Sequence, residues 1–270
     1  MNQIIIGTLI CSGIAVFAYR KKSLTTSGLY SALLLGIFLS IFGGLYFLSI
    51  LVAFFISSNM IGRFNRDQEK ELAELHEKSG ARDYSQVIAN GYVSLIFAML
   101  FYLTGNHLFI LAFATSLASS NADTWGSELG VLSKKTPVSI INWKPICKGL
   151  SGGITLAGTV ASLLGSVFIA VVFIAGYFII YGNSEHLLLQ FILCAVGGFA
   201  GSVIDSVLGA TVQVKYQCEE SGKITEKRVI NGNVNKVISG FPVINNDAVN
   251  FISSFVASLL TVAVSVLFFS

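Results

Sequence analysis

The chain has 270 residues, of which 54% are hydrophobic and 11% are charged, and it contains only three prolines. This composition, with a mean hydropathy of +0.75, excludes an ordinary soluble domain and is typical of a polytopic membrane protein. The small net charge of +3 gives no case for nucleic-acid binding. The four cysteines are scattered, so neither a disulfide framework nor a zinc site is predicted.

Eight apolar segments along the chain are candidates for membrane-spanning helices. They cover residues 2–19, 25–42, 43–58, 86–104, 107–125, 153–181, 187–213 and 248–269. The second and third form one apolar run that is too long for a single crossing, and Gly43-Gly44 is the predicted turn between them. We therefore predict an all-α fold, a bundle of about eight transmembrane helices in a single integral-membrane domain over residues 1–270.

The basic residues predict how this bundle lies in the membrane. All 17 lysines and arginines fall in alternate loops, at about residues 20–24, 59–85, 131–152 and 214–246. By the positive-inside rule these four loops are cytoplasmic, and both termini lie outside. Any site built from these loops is therefore predicted to face the cytoplasm.

Two of these loops have a predicted local structure. Residues 63–83 mix five basic with six acidic residues in a helix-favouring composition, which predicts a short amphipathic or solvated helix with His76 on its surface. The segment after the seventh helix is polar and favours strands, and we predict a short hairpin around residues 220–223.

A polar stripe marks the start of the fourth predicted helix. Arg82, Gln86 and Asn90 are four residues apart and therefore share one helix face. Arg82 could pair with a phosphate while the two amides orient it. The stripe could equally hydrogen-bond neighbouring helices, so both interpretations stay open.

Acidic residues interrupt the apolar segments at several points. Asp123 and Glu128 lie in the stretch SSNADTWGSELG at residues 119–130, and Asp205 and Asp247 lie at the edges of later segments. A carboxylate in the bilayer costs about 2.5–3.5 kcal/mol on insertion scales, so such acids usually serve an ion or a substrate. Asp123, Asp205 and Asp247 are the candidate ligands of one Mg²⁺ ion. A structural hydrogen-bond network is the alternative.

Two short sequence matches suggest how these acids could come together. Residues 120–124 and 202–206 both read Ser-x-x-Asp followed by Thr or Ser. The match indicates a degenerate internal repeat that supplies one carboxylate from each half, and a chance match of the two pentads is the alternative. Asp123, Asp205 and Glu128 are the candidate catalytic residues.

Phosphate-binding groups are predicted at the start of the sixth helix. The candidates are two lysines and the small residues that follow them, namely Lys144, Lys148, Gly149, Ser151, Gly152 and Gly153. Exposed amides at a helix N-terminus beside lysines form a natural phosphate cradle. The stretch lacks the pattern GxxxxGK[ST], and a helix cap with close helix crossings is the alternative.

The last predicted helix opens with asparagines in the sequence NNDAVNFIS. Asn246 and Asn250 are four residues apart, on one helix face. A single asparagine suffices to cap a helix, so the cluster exceeds the needs of capping. Both are therefore candidate substrate-binding residues.

Several motifs together resemble those of one known family. They are RDYSQVIANG, ASSNADTWGSELG, the run from Pro137 to Thr155, GSVIDSVLGATVQ and NNDAVNF. The sequence resembles the integral-membrane proteins of domain of unknown function 92, which include phytyl-phosphate kinases of tocopherol synthesis and transmembrane protein 19. That family is similar to CTP-dependent polyprenol and phytol kinases. The chain departs from it at Val138, where a basic residue is usual, and at Cys218, where many members have paired cysteines.

The resemblance implies a membrane-embedded kinase. It would use CTP and Mg²⁺ to convert an isoprenoid monophosphate, such as phytyl or prenyl phosphate, into the diphosphate at the cytoplasmic face. A lipid or ion transporter of the flippase type and a cytidylyltransferase that makes a CDP-lipid are the alternatives. Intramembrane acids and a weak repeat suit the transporter, whereas the cytidylyltransferase differs from the kinase only in which phosphorus is attacked.

Overall fold

The computed structural model describes residues 2–62, 64, 75, 77, 80–218 and 222–269. Within these residues the chain forms eight α-helices, which confirms the predicted all-α bundle. They are α1 (Asn2–Arg20), α2 (Thr26–Phe42), α3 (Gly44–Gly62), α4 (Tyr84–Thr104), α5 (Leu108–Gly130), α6 (Leu156–Tyr181), α7 (Leu187–Thr211) and α8 (Asn246–Phe269). The predicted turn at Gly43-Gly44 separates α2 from α3, and Gly44 has a φ of +63° that favours glycine.

Six of the described helices are long and apolar enough to cross a membrane, and α2 and α5 are the two that are not. Helix α2 has only 17 residues. Helix α5 has 23 residues, but its second half is rich in serine, glycine and acids. The eight predicted spans therefore reduce to six on length and hydropathy alone.

Helix α5 can be polar because other helices surround it. Every residue from Ile110 to Ala122 is buried, and α5 packs against α3, α4, α6, α7 and α8. Small residues allow this close packing. A Cβ added at Gly158 of α6 would lie 2.8 Å from the carbonyl oxygen of Gly126 in α5. Helix α5 is thus the centre of the bundle.

Polar caps set the starts of α4, α6 and α8. Asp83 and Gln86 form a reciprocal capping box at the start of α4. The side-chain oxygen of Asn245 accepts a hydrogen bond from the amide of Ala248 in α8 (3.1 Å), and Thr155 caps α6 through the amide of Gly158 (3.0 Å). The predicted start of the sixth helix at residue 153 was wrong, because the chain stays extended until this cap.

Short strands shape the loops. Strand β1 (Val138–Ser139) pairs with β2 (Gly153–Ile154), and β3 (Lys215–Gln217) lies between β4 (Ile224–Thr225) and β7 (Lys236–Ser239). The antiparallel pairing of β3 with β4 confirms the predicted hairpin. Strands β5 (Val229–Ile230) and β6 (Asn233–Val234) form a further pair. The predicted helix in 63–83, with His76, lies largely outside the described residues.

Asn121 joins three helices inside the bundle. Its side chain is fully buried, and its oxygen accepts hydrogen bonds from Ser57 (2.8 Å) and Ser58 (3.2 Å) of α3. Its amide nitrogen donates to the carbonyl oxygen of Gly165 in α6 (2.8 Å). Part of the polar character of the SSNADTWG stretch is therefore structural.

We expect Asn121→Ala to lower the free energy of unfolding by about 2 kcal/mol, because three interhelical hydrogen bonds are lost and buried partners stay unpaired. The midpoint of unfolding in detergent measures this effect. Asn183→Ala, in the exposed loop after α6, is the matched control. Equal midpoints for the two variants would contradict a stabilising role for the hydrogen bonds by which Asn121 joins α3, α5 and α6.

Candidate active site

A cavity of about 410 Å³ lies at one end of the bundle, where α5 and α7 end and α4, α6 and α8 begin. Its wall contains all of the predicted site residues except Asn90, Lys144 and Asn250. The predicted residues in the wall are Arg82, Gln86, Asp123, Glu128, Lys148, Gly149, Ser151, Gly152, Gly153, Asp205, Asn246 and Asp247. Segments more than 160 residues apart in the chain thus meet at one place.

Two carboxylates from different helices meet in this cavity. Asp205 of α7 is 8% exposed, and its Oδ2 accepts a hydrogen bond from Ser253 of α8 (3.1 Å). Asp123 of α5 is close enough for its charge to interact with those of Asp205 and Glu128. The two matching pentads therefore deliver their acids to the same cavity.

The third predicted metal ligand, Asp247, is engaged differently. Its Oδ2 accepts a hydrogen bond from Ser85 Oγ (2.5 Å), which joins the start of α8 to the start of α4. Among the described residues, no three His, Cys, Asp or Glu side chains stand close enough to form a metal-binding group. The predicted cluster of Asp123, Asp205 and Asp247 is therefore not assembled in this structure.

The charges of the wall nevertheless suit a cation. The described residues of the wall include two basic side chains, Arg82 and Lys148, and six acids. The acids are Glu77, Asp123, Glu128, Asp205, Glu226 and Asp247. Such an excess of carboxylates attracts cations, and a donor set made only of oxygens suits Mg²⁺. Asp123 and Asp205 are two of these acids, and their charges interact across the gap between α5 and α7.

The backbone of Arg82 is held in place by two hydrogen bonds. Its amide donates to the carbonyl oxygen of Ser23 (3.0 Å), and its own carbonyl accepts from the amide of Thr25 (3.0 Å). Burial lowers the pKa of Arg82, and the negative charge of Glu128 opposes that shift. The side chain keeps its charge, because an arginine guanidinium is not deprotonated in proteins. The cavity wall therefore includes one permanent positive charge, on a residue whose backbone is anchored to the turn between α1 and α2.

The two amides of the polar stripe have different surroundings. Gln86 lines the cavity, and its Oε1 accepts the amide of Asp83 (3.1 Å) in the capping box. Asn90 lies outside this cavity, and its Nδ2 donates to the carbonyl oxygen of Gln86 (3.0 Å). The structure therefore brings Gln86, but not Asn90, into the wall of this cavity with Arg82.

The glycine-rich segment forms a packed loop and not a helix N-terminus. The amide of Ser151 donates to Glu226 Oε1 (3.1 Å), its carbonyl accepts from Lys215 Nζ (3.1 Å), and its hydroxyl accepts from Gln213 (3.1 Å). Gly152 has a φ of +87°, and a Cβ there would lie 2.5 Å from that of Ala210. The predicted cradle of free amides was therefore wrong at Ser151, whose amide is already bound.

Of the two predicted lysines and the two predicted asparagines of α8, one of each kind lines the cavity and the other does not. Lys148 is exposed and lines the cavity, whereas Lys144 is exposed outside it. Asn246 lines the cavity. Asn250, one turn further along α8, faces elsewhere, and its buried Oδ1 has no hydrogen-bond partner among the described residues. The predictions that Lys144 and Asn250 belong to this site were therefore wrong.

Sequence reasoning missed Glu226. This residue is 5% exposed and lines the cavity, and its charge interacts with those of Asp205 and Lys215. It stands in a polar loop with other charged residues, and nothing in its spacing distinguishes it from Glu219 or Glu220. Its position follows from tertiary contacts, among them the hydrogen bond that the Ser151 amide donates to its Oε1.

Glu226 and Lys215 provide a test of this loop. Burial lowers the pKa of Lys215, and the charge of Glu226 partly raises it again. Glu226→Gln should therefore lower the pKa of Lys215 further, so that more of the amine is neutral at a given alkaline pH. We expect the midpoint of its acylation rate against pH, followed by mass spectrometry, to move to lower pH.

The exposed Lys144 in the same samples is the internal reference for reagent and pH. A change in the limiting rate at high pH, without a shift of the midpoint, would indicate altered access and not altered charge. A midpoint that stays in place or rises would contradict the interaction between Glu226 and Lys215.

Known proteins resemble this chain over most of its length. Protein PGR of Arabidopsis thaliana is 33% identical over 99% of this chain and 98% of its own length. An uncharacterized membrane protein of Methanocaldococcus jannaschii is 29% identical over 79% of this chain and 84% of its own. Protein VTE6, chloroplastic, of Arabidopsis thaliana is 26% identical over 88% of this chain and 64% of its own. No solved structure matches.

The part of the chain that matches a known family includes the motifs around the cavity. Residues 9–258 match the family model described as integral membrane protein DUF92. That match includes Arg82, Asp123, Asp205 and the loop from Lys148 to Gly153. The chain therefore belongs to the DUF92 family of integral membrane proteins.

Proposed function

We propose that this protein is a membrane-embedded kinase that uses CTP and Mg²⁺ to phosphorylate an isoprenoid monophosphate, such as phytyl or prenyl phosphate, to the diphosphate. The observation that carries the proposal is the meeting of Asp123 and Asp205 in one cavity that also exposes Arg82 and Lys148. The resemblance of the chain's motifs to those of phytyl-phosphate kinases supports the substrate class. A cavity of about 410 Å³ also falls in the range of roughly 300–1,000 Å³ that accommodates small-molecule ligands.

The side chains of the wall suit phosphoryl transfer, which depends mainly on positioning and on charge neutralisation. Asp123 and Asp205 would hold Mg²⁺, which neutralises the phosphates of the nucleotide when it is bound. Lys148 would bind a nucleotide phosphate at the rim. Arg82 would hold the acceptor phosphate, and Glu128 would keep Arg82 oriented through the interaction of their charges.

The reaction needs little proton chemistry from the protein. An oxygen of the acceptor phosphate attacks the γ-phosphorus of CTP, the bond from that phosphorus to the bridging oxygen breaks, and CDP leaves. The attacking oxygen is already ionised at neutral pH, since the second pKa of a phosphate monoester is about 6. A general base is therefore not required.

The position of the cavity supports a cytoplasmic active face. The loops that carry all 17 lysines and arginines adjoin the same end of the bundle as the cavity, and by the positive-inside rule that end is cytoplasmic. This position also disfavours a transporter, whose substrate site usually lies near the midplane of the membrane.

The position of the label in CTP distinguishes the candidate reactions. We expect purified protein with Mg²⁺ and phytyl monophosphate to transfer label to lipid from γ-³²P-CTP and not from α-³²P-CTP. Transfer of the α-label would instead indicate a CDP-lipid-forming cytidylyltransferase. Reconstituted lipid flux without nucleotide, in the absence of any transfer, would indicate a transporter.

Asp123→Asn and Asp205→Asn should each reduce γ-label transfer by at least about a hundredfold, because each removes charge that stabilises the bound cation. Glu185→Gln is the control, since this acid is 89% exposed in the loop between α6 and α7, at the other end of the bundle. Unchanged turnover in Asp123→Asn would remove the metal assignment of this residue.

The two lysines of one loop give a matched pair. Lys148→Gln should raise the KM for CTP by about tenfold or more, because a charge-assisted hydrogen bond contributes roughly 1.5–3 kcal/mol. Lys144→Gln should leave it unchanged, because Lys144 lies outside the cavity. Steady-state kinetics at saturating lipid measure both, and equal effects would contradict the assignment of Lys148.

A further inference from the structure

A second cavity lies beside the first, between α1, α2, α3 and α4. It is small, about 80 Å³, and its wall is mostly apolar, with Ala15 of α1, Leu35 of α2, and Val52 and Phe55 of α3 among its residues. The polar side chains of this wall are Arg82, Gln86 and Asn90. The cavity thus has the character of a hydrocarbon site with one polar end.

The two cavities share Arg82 and Gln86. Both residues belong to the wall of the polar cavity and to that of the apolar one. Arg82 is the charged residue in the apolar wall, and its backbone is fixed against the turn between α1 and α2 through Ser23 and Thr25. A ligand with an anionic head and an apolar chain therefore finds both of its preferred environments beside Arg82.

From this arrangement we propose that the apolar cavity receives the first carbons of a single-chain lipid monophosphate, with its phosphate bound at Arg82. The inference rests on the proposed function and specifies the acceptor site of the same reaction. The phosphate at Arg82 faces the polar cavity, where Asp123 and Asp205 lie. The chain runs away from these carboxylates, which keeps hydrocarbon out of the charged cavity.

The size of the apolar cavity limits what it can recognise. Its volume of about 80 Å³ is far below the roughly 300 Å³ of a pocket that encloses a drug-sized molecule. It holds the start of one chain and not two chains side by side, so the rest of the chain lies in the bilayer. The site therefore selects a single-chain monophosphate over a diacyl phospholipid, and it discriminates weakly between long chains of different length.

Photo-crosslinking of the unmodified protein tests the site without measuring catalysis. The probe is a prenyl monophosphate that carries a diazirine near its phosphate, and peptide mass spectrometry locates the label. We expect label on α1–α4 around Ala15, Leu35 and Val52. Phytyl monophosphate should compete, whereas phytol and phosphatidic acid at the same concentration should compete at least about tenfold less well. Label on the outer faces of α6–α8, or equal competition by phosphatidic acid, would overturn the proposal.

A variant that fills the cavity gives a second measurement. Val52→Phe should raise the KM for phytyl monophosphate by about tenfold, because the bulkier ring displaces buried carbons of the chain, while the KM for CTP stays the same. Val16→Phe is the matched control, since Val16 of α1 is 40% exposed and lies outside the apolar wall. Equal effects of the two variants, or a parallel rise in the KM for CTP, would count against the site.

These measurements separate the acceptor site from the kinase reaction. Probe bound between α1 and α4 by a protein that transfers no γ-label would sustain the lipid site and refute the kinase. Normal γ-label transfer with the probe located elsewhere, and with Val52→Phe equal to Val16→Phe, would sustain the kinase and refute the acceptor site.

Discussion

The placement of two carboxylates inside a helical bundle constrains the rest of this structure. A carboxylate in the interior of a membrane is expensive, by about 2.5–3.5 kcal/mol on insertion scales, unless it meets polar partners or water. Asp205 is 8% exposed, and it interacts electrostatically with Asp123 across the gap between α7 and α5. A hydroxyl of α8, from Ser253, bonds it directly. The bundle therefore keeps a polar cavity at this end, where these acids can be solvated or bind a cation.

The central position of α5 makes this cavity possible. The helix is surrounded by five others, so its second half can be rich in serine, asparagine and acids without facing lipid. Glycines on the neighbouring helices bring their backbones close, as at Gly201 of α7, where an added Cβ would collide with Ser119 Oγ. Asn121 joins this part of α5 to α3 and α6. Asn121, which packs the helices together, thus lies two residues before Asp123, which lines the cavity.

The last loop completes the wall of the cavity. Gln213, Lys215 and Glu226 each hydrogen-bond Ser151, so the segment before α6 is held by the segment after α7. Lys215 also partly balances the charge of Glu226. The resulting wall has acids in excess, and it shares Arg82 with the wall of the apolar cavity. Such a division between a charged and an apolar side suits an amphipathic anion and a cation that neutralises it.

The sequence by itself determined the class of the fold and most helix bounds to within a few residues, and it singled out Arg82, Asp123 and Asp205, which line the polar cavity. Hydropathy identifies the helices, because an apolar segment that crosses lipid must satisfy its own backbone hydrogen bonds. The acids mark polar regions of the bundle, because a carboxylate in the membrane is unfavourable unless it meets polar partners or water. The motifs around Arg82, Asp123 and Asp205 also identified the family. These features depend on residues close together in the chain.

Only the tertiary structure decided which polar residues share a cavity. Nothing in the sequence distinguishes Lys144 from Lys148, yet of these two only Lys148 lines the cavity. Likewise, Asn246 lines the cavity and Asn250 does not. The glycine-rich loop reads as a helix start, but Thr155 caps α6 later and Glu226 binds the amide of Ser151. Glu226 has no local signal at all. Its position follows from contacts between loops about 75 residues apart, and side-chain spacing within one helix carries no information about such contacts.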